Sequence, residues 1–279
     1  MKHVFTMAVF LMICAGCKKS KPVDNDTNSS RDNAYAEATF DDAEIIAQEA
    51  GSTESVTQYR NNGTTRILIN CAIVTFQNKN PADQDTILIN FTNGCGSPDG
   101  RIRGGEVIVY YTSPYKSPGH THTITFNNYL INGNRVSGTA IVTNNGLNGQ
   151  NNMNWSLNVK GSIAITGGGT ITWSSSRTSE LISGWNSSDS TINWSQAKWS
   201  LTGQENGVSA TGIGYSAVTG SALIRDFSCT LATRRYYTQG VLNLTPTGKV
   251  NRTVNWGNGT CGSSPIVDIS GTSYEIVLR

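Results

Sequence analysis

A strict two-residue alternation constrains this chain more than any other feature. Trp155, Leu157, Val159, Gly161, Ile163 and Ile165 alternate with Asn154, Ser156, Asn158, Lys160, Ser162 and Ala164. Successive strand side chains point to opposite faces, so this run has one apolar and one polar face. Further β-type runs lie near 66–76, 85–91, 106–113, 122–131, 135–143 and 169–178. The pattern resumes near 191–203, 207–218, 221–233, 239–245, 251–257 and 273–279. Asn-Gly, the strongest short hairpin signal, occurs at Asn62, Asn93, Asn132, Asn145, Asn148, Asn206 and Asn258. Two of these, Asn132-Gly133 and Asn206-Gly207, fall between strand runs and predict hairpins there. Asn, Ser, Thr and Gly make up 118 of the 279 residues, and all four are mediocre or poor helix formers. No helical pattern separates the runs, which excludes the crossovers a parallel sheet needs. The expectation is an all-β domain over 66–279, a large antiparallel meander of about a dozen strands, either an open curved sheet or a sandwich. Its 214 residues suffice to bury most of the unfolded surface as one domain.

The first 65 residues differ in kind. Met1-Lys2-His3 is a basic start, and Val4 to Ile13 is an apolar run far short of the about 20 residues that span a bilayer. This is the pattern of an export signal. It ends in Cys14-Ala15-Gly16-Cys17, which resembles a bacterial lipobox, with Cys14 departing from the usual branched aliphatic residue. The resemblance implies a signal peptide over 1–16 and a lipidated Cys17 as first mature residue, a membrane anchor of several acyl chains. Residues 17–65 then form an acidic, flexible tether. Within it Thr39-Phe40-Asp41-Asp42 predicts the start of a short helix over about 39–50, with Asp41, Asp42 and Glu44 at its positive end. The helix is expected to act as a spacer or to dock on the body.

Four cysteines remain after Cys14 and Cys17, an even number that reads as two disulfides in an exported domain. Asn90-Phe91-Thr92-Asn93-Gly94-Cys95 is echoed by Asn255-Trp256-Gly257-Asn258-Gly259-Thr260-Cys261, and a second Cys precedes each copy. Of the three possible connectivities this weak repeat favours Cys71–Cys95 and Cys229–Cys261. Each closure is worth roughly 3 kcal/mol on the chain-entropy model. A Cys₄ zinc site is the weaker alternative, since the chain has no C-x₂-C pair.

The Cys71 strand, Ile87 to Cys95, Asp99 to Gly104, the Phe126–Thr143 hairpin, Trp173 to Glu180 and Arg252 to Leu278 together resemble a group of Bacteroidota envelope lipoproteins. The resemblance implies a compartment, an outer-membrane lipoprotein facing the periplasm or the cell surface, and an architecture. It carries over no catalytic residue.

Candidate chemistry is sparse. His120 and His122 share one face of a strand at a spacing metal sites use. No carboxylate lies near them in sequence, so an exposed or edge pair is the simpler reading. Asp99, Arg101 and Arg103 suggest an ion or anion site, though a Pro-Asp-Gly turn also accounts for them. Trp185, flanked by Gly and Asn, is the candidate exposed ring for a glycan; Trp155 belongs to the apolar face. Among the ten acids of the body a pair such as Glu180 and Asp189 could serve a glycosidase, but nothing in sequence sets them apart from surface charges, and no G-x-S-x-G, S-x-x-K or H-E-x-x-H occurs. Asp85-Thr86-Ile87 and Asp189-Ser190-Thr191 resemble an O-glycosylation acceptor tripeptide. The near-balanced charge argues against a nucleic-acid partner. The expected function is therefore non-enzymatic and without a cofactor: an envelope lipoprotein presenting a β-sheet binding or structural module, with a lipid, a glycan or an envelope protein as partner. A lipid carrier with an apolar groove is the first alternative. A glycan-binding module or glycoside hydrolase is the second.

Overall fold

The computed structural model describes residues 23–51, 71–77, 85–111, 117–188, 191–230 and 237–278. The signal, the lipobox, Cys17, Asn62, Asp189 and Ser190 lie outside them. The described chain opens with α1 (Asn28–Gly51) and continues through β1 (Ile73–Gln77), β2 (Asp85–Asn90), β3 (Cys95–Gly96), β4 (Ile102–Tyr111), β5 (Thr121–Ile131), β6 (Asn134–Leu147) and β7 (Met153–Ala164). Then follow β8 (Thr170–Ser183), β9 (Trp185–Asn186), β10 (Thr191–Ile192), β11 (Lys198–Val208), β12 (Gly214–Asp226), β13 (Gln239–Pro246), β14 (Arg252–Asn258), β15 (Ile266–Ile269) and β16 (Thr272–Glu275).

The strands form one antiparallel meander in the order β1-β2-β4-β5-β6-β7-β8-β11-β12-β13-β14-β15-β16, with β3 added on β4 and β9–β10 a separate small hairpin. The first and last strands do not pair, so the sheet is open. It is the open curved sheet of the two expected forms, because its second layer is a helix and not another sheet. Asn132, at φ 50°, and Gly133, at φ 79°, make the expected tight turn between β5 and β6. Asn206-Gly207 does not turn. It lies inside β11, where Gly207 pairs with Tyr215 and Trp173. The chain reverses one step later, at Ser209–Ile213, closed by the Ile213 amide donating to Ser209 O γ at 3.1 Å. The runs at 207–218 and 221–233 are accordingly not two strands. Gly214–Asp226 is one strand that passes register shifts at Thr219 and Ser221.

α1 is twice the expected length, starts eleven residues earlier, and of the two expected roles takes docking on the body, not that of a spacer. Ala34, Ala36, Ala38, Ala43, Ala47 and Ala50 supply helix propensity, and the side chain of Asp26 accepts from the Asn28 amide at its start. Every residue from Asp32 to Glu44 is buried, more than three full turns, so all sides of the helix are covered. A flat sheet covers one side; this sheet curls around the helix. Strands as far apart as β4 and β12 bond to it, and Leu278 meets Thr39 in the same small cavity as Arg101. The helix and the inner faces of the strands form one hydrophobic core. Phe40 stacks on Trp173 (5.4 Å, 8°) and meets Phe126 edge-on.

Both disulfides have the connectivity favoured by the repeat, Cys71–Cys95 and Cys229–Cys261. The repeat also has a structural counterpart. Asn90 O δ1 accepts from the Thr92 amide, and Asn255 O δ1 from the Gly257 amide, the same Asx turn in each copy.

Candidate functional site

The polar residues singled out in the sequence converge on α1. Asp42 sits between two arginines: Arg103 grips it through N ε (3.1 Å) and N η2 (2.8 Å), and Arg101 N η1 approaches at 3.1 Å. Asp99 holds Arg103 from its other side, at 2.6 and 3.1 Å. Asp99, Arg101 and Arg103 are buried. They are therefore not an open ligand site; their ligand is the helix. Burial alone would raise the Asp42 carboxyl, but the two guanidiniums hold it below its ordinary value.

One residue earlier, Asp41 faces the opposite wall. It is bonded by Arg177, by Arg225 N η2 at 3.1 Å and by the Tyr237 hydroxyl. Burial opposes its ionisation, and Arg177 and Arg225 outweigh burial, so its pKa too is lowered. Burial, followed by the Asp41 charge, pushes the Tyr237 hydroxyl well up. Next to this pair Glu37 is fully buried, with Glu205 and Arg177 as its ionisable neighbours. Asn33 donates to Glu205 at 2.8 Å and accepts from the Trp173 indole at 3.0 Å. Three carboxyls, Glu37, Asp41 and Glu205, share two guanidiniums. Burial, then repulsion from Glu205, raises the Glu37 pKa well above its usual range.

His120 and His122 are buried and not an exposed or edge pair, and a carboxylate does lie near them in space. His122 N ε2 is 3.2 Å from Glu44 O ε2 on the last third of α1. No group of three or more His, Cys, Asp or Glu among the described residues has metal-site geometry. Trp185 is not a solvent ring: it lies in the β9–β10 hairpin, half-buried against the core. Trp155 and Trp199 are buried with rings 4.9 Å apart. Glu180 accepts from Asn148 and Asn152. Thr86 is half-buried at the start of β2, which lies between β1 and β4.

The opposite face of the sheet holds an open trough of about 860 Å³ crossing β6, β7, β8, β11, β12 and β13. Two cross-strand rows line it. One runs Ser137, Ser162, Thr172, Val208, Gly214. The other runs Lys160, Ser174, Asn206, Ser216, Thr245. On the inner side the paired row is Gly138, Gly161, Trp173, Gly207, Tyr215. Gly161 is required there, because a Cβ would collide with the Phe40 ring. On the inner side glycines alternate with the large rings of Trp173 and Tyr215 along this row. The sequence shows the alternation that puts these polar residues outward, but their alignment into rows depends on register between strands far apart in the chain.

No family model, no curated protein and no solved structure matches the chain.

Proposed function

We propose that this chain is a non-enzymatic envelope lipoprotein, tethered to the outer membrane through a lipidated Cys17, whose outer sheet face is a binding surface. The observation that carries this reading is the division of labour across the sheet. The inner face is filled by the chain's own helix, ion-paired at Asp41 and Asp42, while the outer face stays open over six strands. Six residues separate Cys17 from Asp24 and eight separate it from Asp26, the first groove contacts, which bond Arg252 and Lys249. The anchor therefore presents the sheet close to the membrane. Metabolic labelling with an alkyne fatty acid tests the anchor: label and membrane fractionation are expected for the native chain and both are lost in Cys17→Ser. A labelled or membrane-bound Cys17→Ser chain would sink it.

The lipid-carrier alternative requires α1 to leave the groove, since α1 occupies the space between the walls. Native mass spectrometry of the gently purified chain discriminates: a releasable lipid mass favours the carrier, a clean mass the outer-face module.

A further inference from the structure

We propose that Glu37 and Glu205 share a single proton and that this proton latches the N-terminal half of α1 in the groove. The latch depends neither on the anchor nor on the outer-face reading above. Three observations carry it.

The first is a lack of donors. Glu37 is 0% exposed and Glu205 2%. The two carboxyls lie within hydrogen-bonding reach of one another. Each also stands beside the same nitrogen, Arg177 N η1, at 3.7 and 3.8 Å. Those are ion-pair separations, too long for hydrogen bonds. Asn33 donates to Glu205, but neither oxygen of Glu37 accepts a hydrogen bond from a described residue. The buried hydroxyls of Ser175, which faces Glu205 across the strands, and of Tyr215 make none either. A dry carboxylate without donors is far costlier than the neutral acid. Two ionised carboxylates side by side are worse, because neither can donate. One proton between them supplies the missing hydrogen bond and removes the repulsion.

The second is the charge count around the pair. α1 itself brings Asp32 and Asp41, β8 brings Arg177, and β12 brings Tyr215 and Arg225; Tyr237 precedes β13. Burial pushes both tyrosine hydroxyls up, so they remain neutral. Arg177 and Arg225 both bond Asp41. No cation is left to match Glu37 and Glu205 if both ionise.

The third is position along the helix. In the C-terminal half Asp42 is matched by two guanidiniums. In the N-terminal half Asn33 is seated on Glu205 itself and on Trp173. Glu205 is fixed in β11, which is paired on both sides by β8 and β12. When the proton leaves, the strand cannot retreat, and the N-terminal half of α1 is the part that moves. The latch is closed below the titration of the pair and opens as pH rises through it. Opening exposes the groove that α1 fills.

The test is hydrogen–deuterium exchange, read by mass spectrometry, of the full chain carrying Cys17→Ser at pH 6, 7.5 and 9, corrected for intrinsic rates. This chain is informative whether or not Cys17 is lipidated in cells. Protection of residues 29–40 is expected to fall by up to about tenfold per pH unit once the pair titrates, while that of β7 holds. Glu37→Gln and Glu205→Gln each replace one carboxyl with an amide that can donate to the other. Both are expected to keep protection constant across the range, and circular dichroism establishes that each is folded. Infrared difference spectra at pH 7.5, native minus each variant, are expected to show the same protonated-carboxyl band. A band missing from either difference overturns the shared proton. Constant protection in the native chain, an equal fall in β7, or an unaltered fall in both variants overturns the latch.

Discussion

On strand β8 the inward residues are Trp173, Ser175, Arg177, Ser179 and Leu181, all buried; the outward ones are Thr172, Ser174, Ser176, Thr178 and Glu180, exposed or half-buried. The two sets are adjacent in sequence and opposite in physics. Inward, Arg177 lies over the Trp173 ring at 5.1 Å and ion-pairs with Asp41. The Arg177 charge there is desolvated and depends on Asp41 of α1. Outward, Ser and Thr keep access to water and lose little by having no protein partner. The same sheet is therefore rigidly specified on one side and chemically permissive on the other. That asymmetry lets the outer face be modified without touching the fold.

The largest effect that tests this asymmetry is removal of Asp41. Asp41→Ala leaves Arg177 buried with Glu205 and Glu37 as its nearest carboxyls and removes the ion-pair partner of buried Arg225. Breaking a buried pair from one side costs about 3–5 kcal/mol. Chemical denaturation is expected to give a loss in that range; a loss below about 1 kcal/mol would mean the helix is not held as the geometry indicates.

Glycine substitution is the next step down. Gly161→Ala places a methyl against Phe40 and the Ser137 carbonyl, and overpacking of this kind costs about 1–3 kcal/mol. Gly96→Ala has nothing within 4 Å of the added Cβ and lies outside the left-handed region, so a change near zero is expected. Equal thermal shifts for the two would contradict the tight inner packing.

The inner face should also respond to pH. Glu37 has a raised folded pKa, so its stabilising contribution is fully present below the unfolded value near 4.5 and erodes as pH rises from there toward the folded value. Asp41 and Asp42 have lowered folded pKa values; their contribution is present above about 3.8 and lost as pH falls below it. Stability is thus expected to decline on both sides. Glu37→Gln removes the titration on the alkaline side, at most about 1.4 kcal/mol per pH unit. Denaturation midpoints between pH 5 and 8 are expected to fall in the native chain and to flatten in the variant. Parallel slopes would show that Glu37 does not hold the proton.

Much of the sheet was legible in the sequence because strand alternation is local: each of Trp155, Leu157, Val159 and Ile163 declares its face through its neighbours, and all four are buried. The disulfides were legible through the repeat around Cys95 and Cys261. The groove was not. Residues 28–38 carry Ser, Asn, Asp and Arg alongside alanine, with too little apolar periodicity to read as a buried helix. What holds the helix is Arg101, Arg103, Arg177 and Arg225, which stand 59 to 184 residues away from their partners Asp41 and Asp42. For the same reason His120 and His122 read as an exposed pair, since Glu44 lies 78 residues upstream of His122. Asn206-Gly207 misled because a glycine that accommodates the Tyr215 ring across the strand looks in sequence like a glycine that turns.

The smallest expected effect is on the outer row of β8. Ser176 and Thr178 are both exposed, and neither makes a side-chain hydrogen bond to a described residue. Ser176→Ala or Thr178→Ala removes a hydroxyl that water satisfies in both folded and unfolded states, so each change should stay within about 0.5 kcal/mol. The two sites face Gln204 and Thr202 across the strand, with no charge to unbalance. Measured on the same denaturation assay as Asp41→Ala, the contrast is between residues one strand-face apart. If the outer substitutions cost as much as about 2 kcal/mol, the outer face is itself covered in the native assembly, and the open binding surface would have to be sought elsewhere.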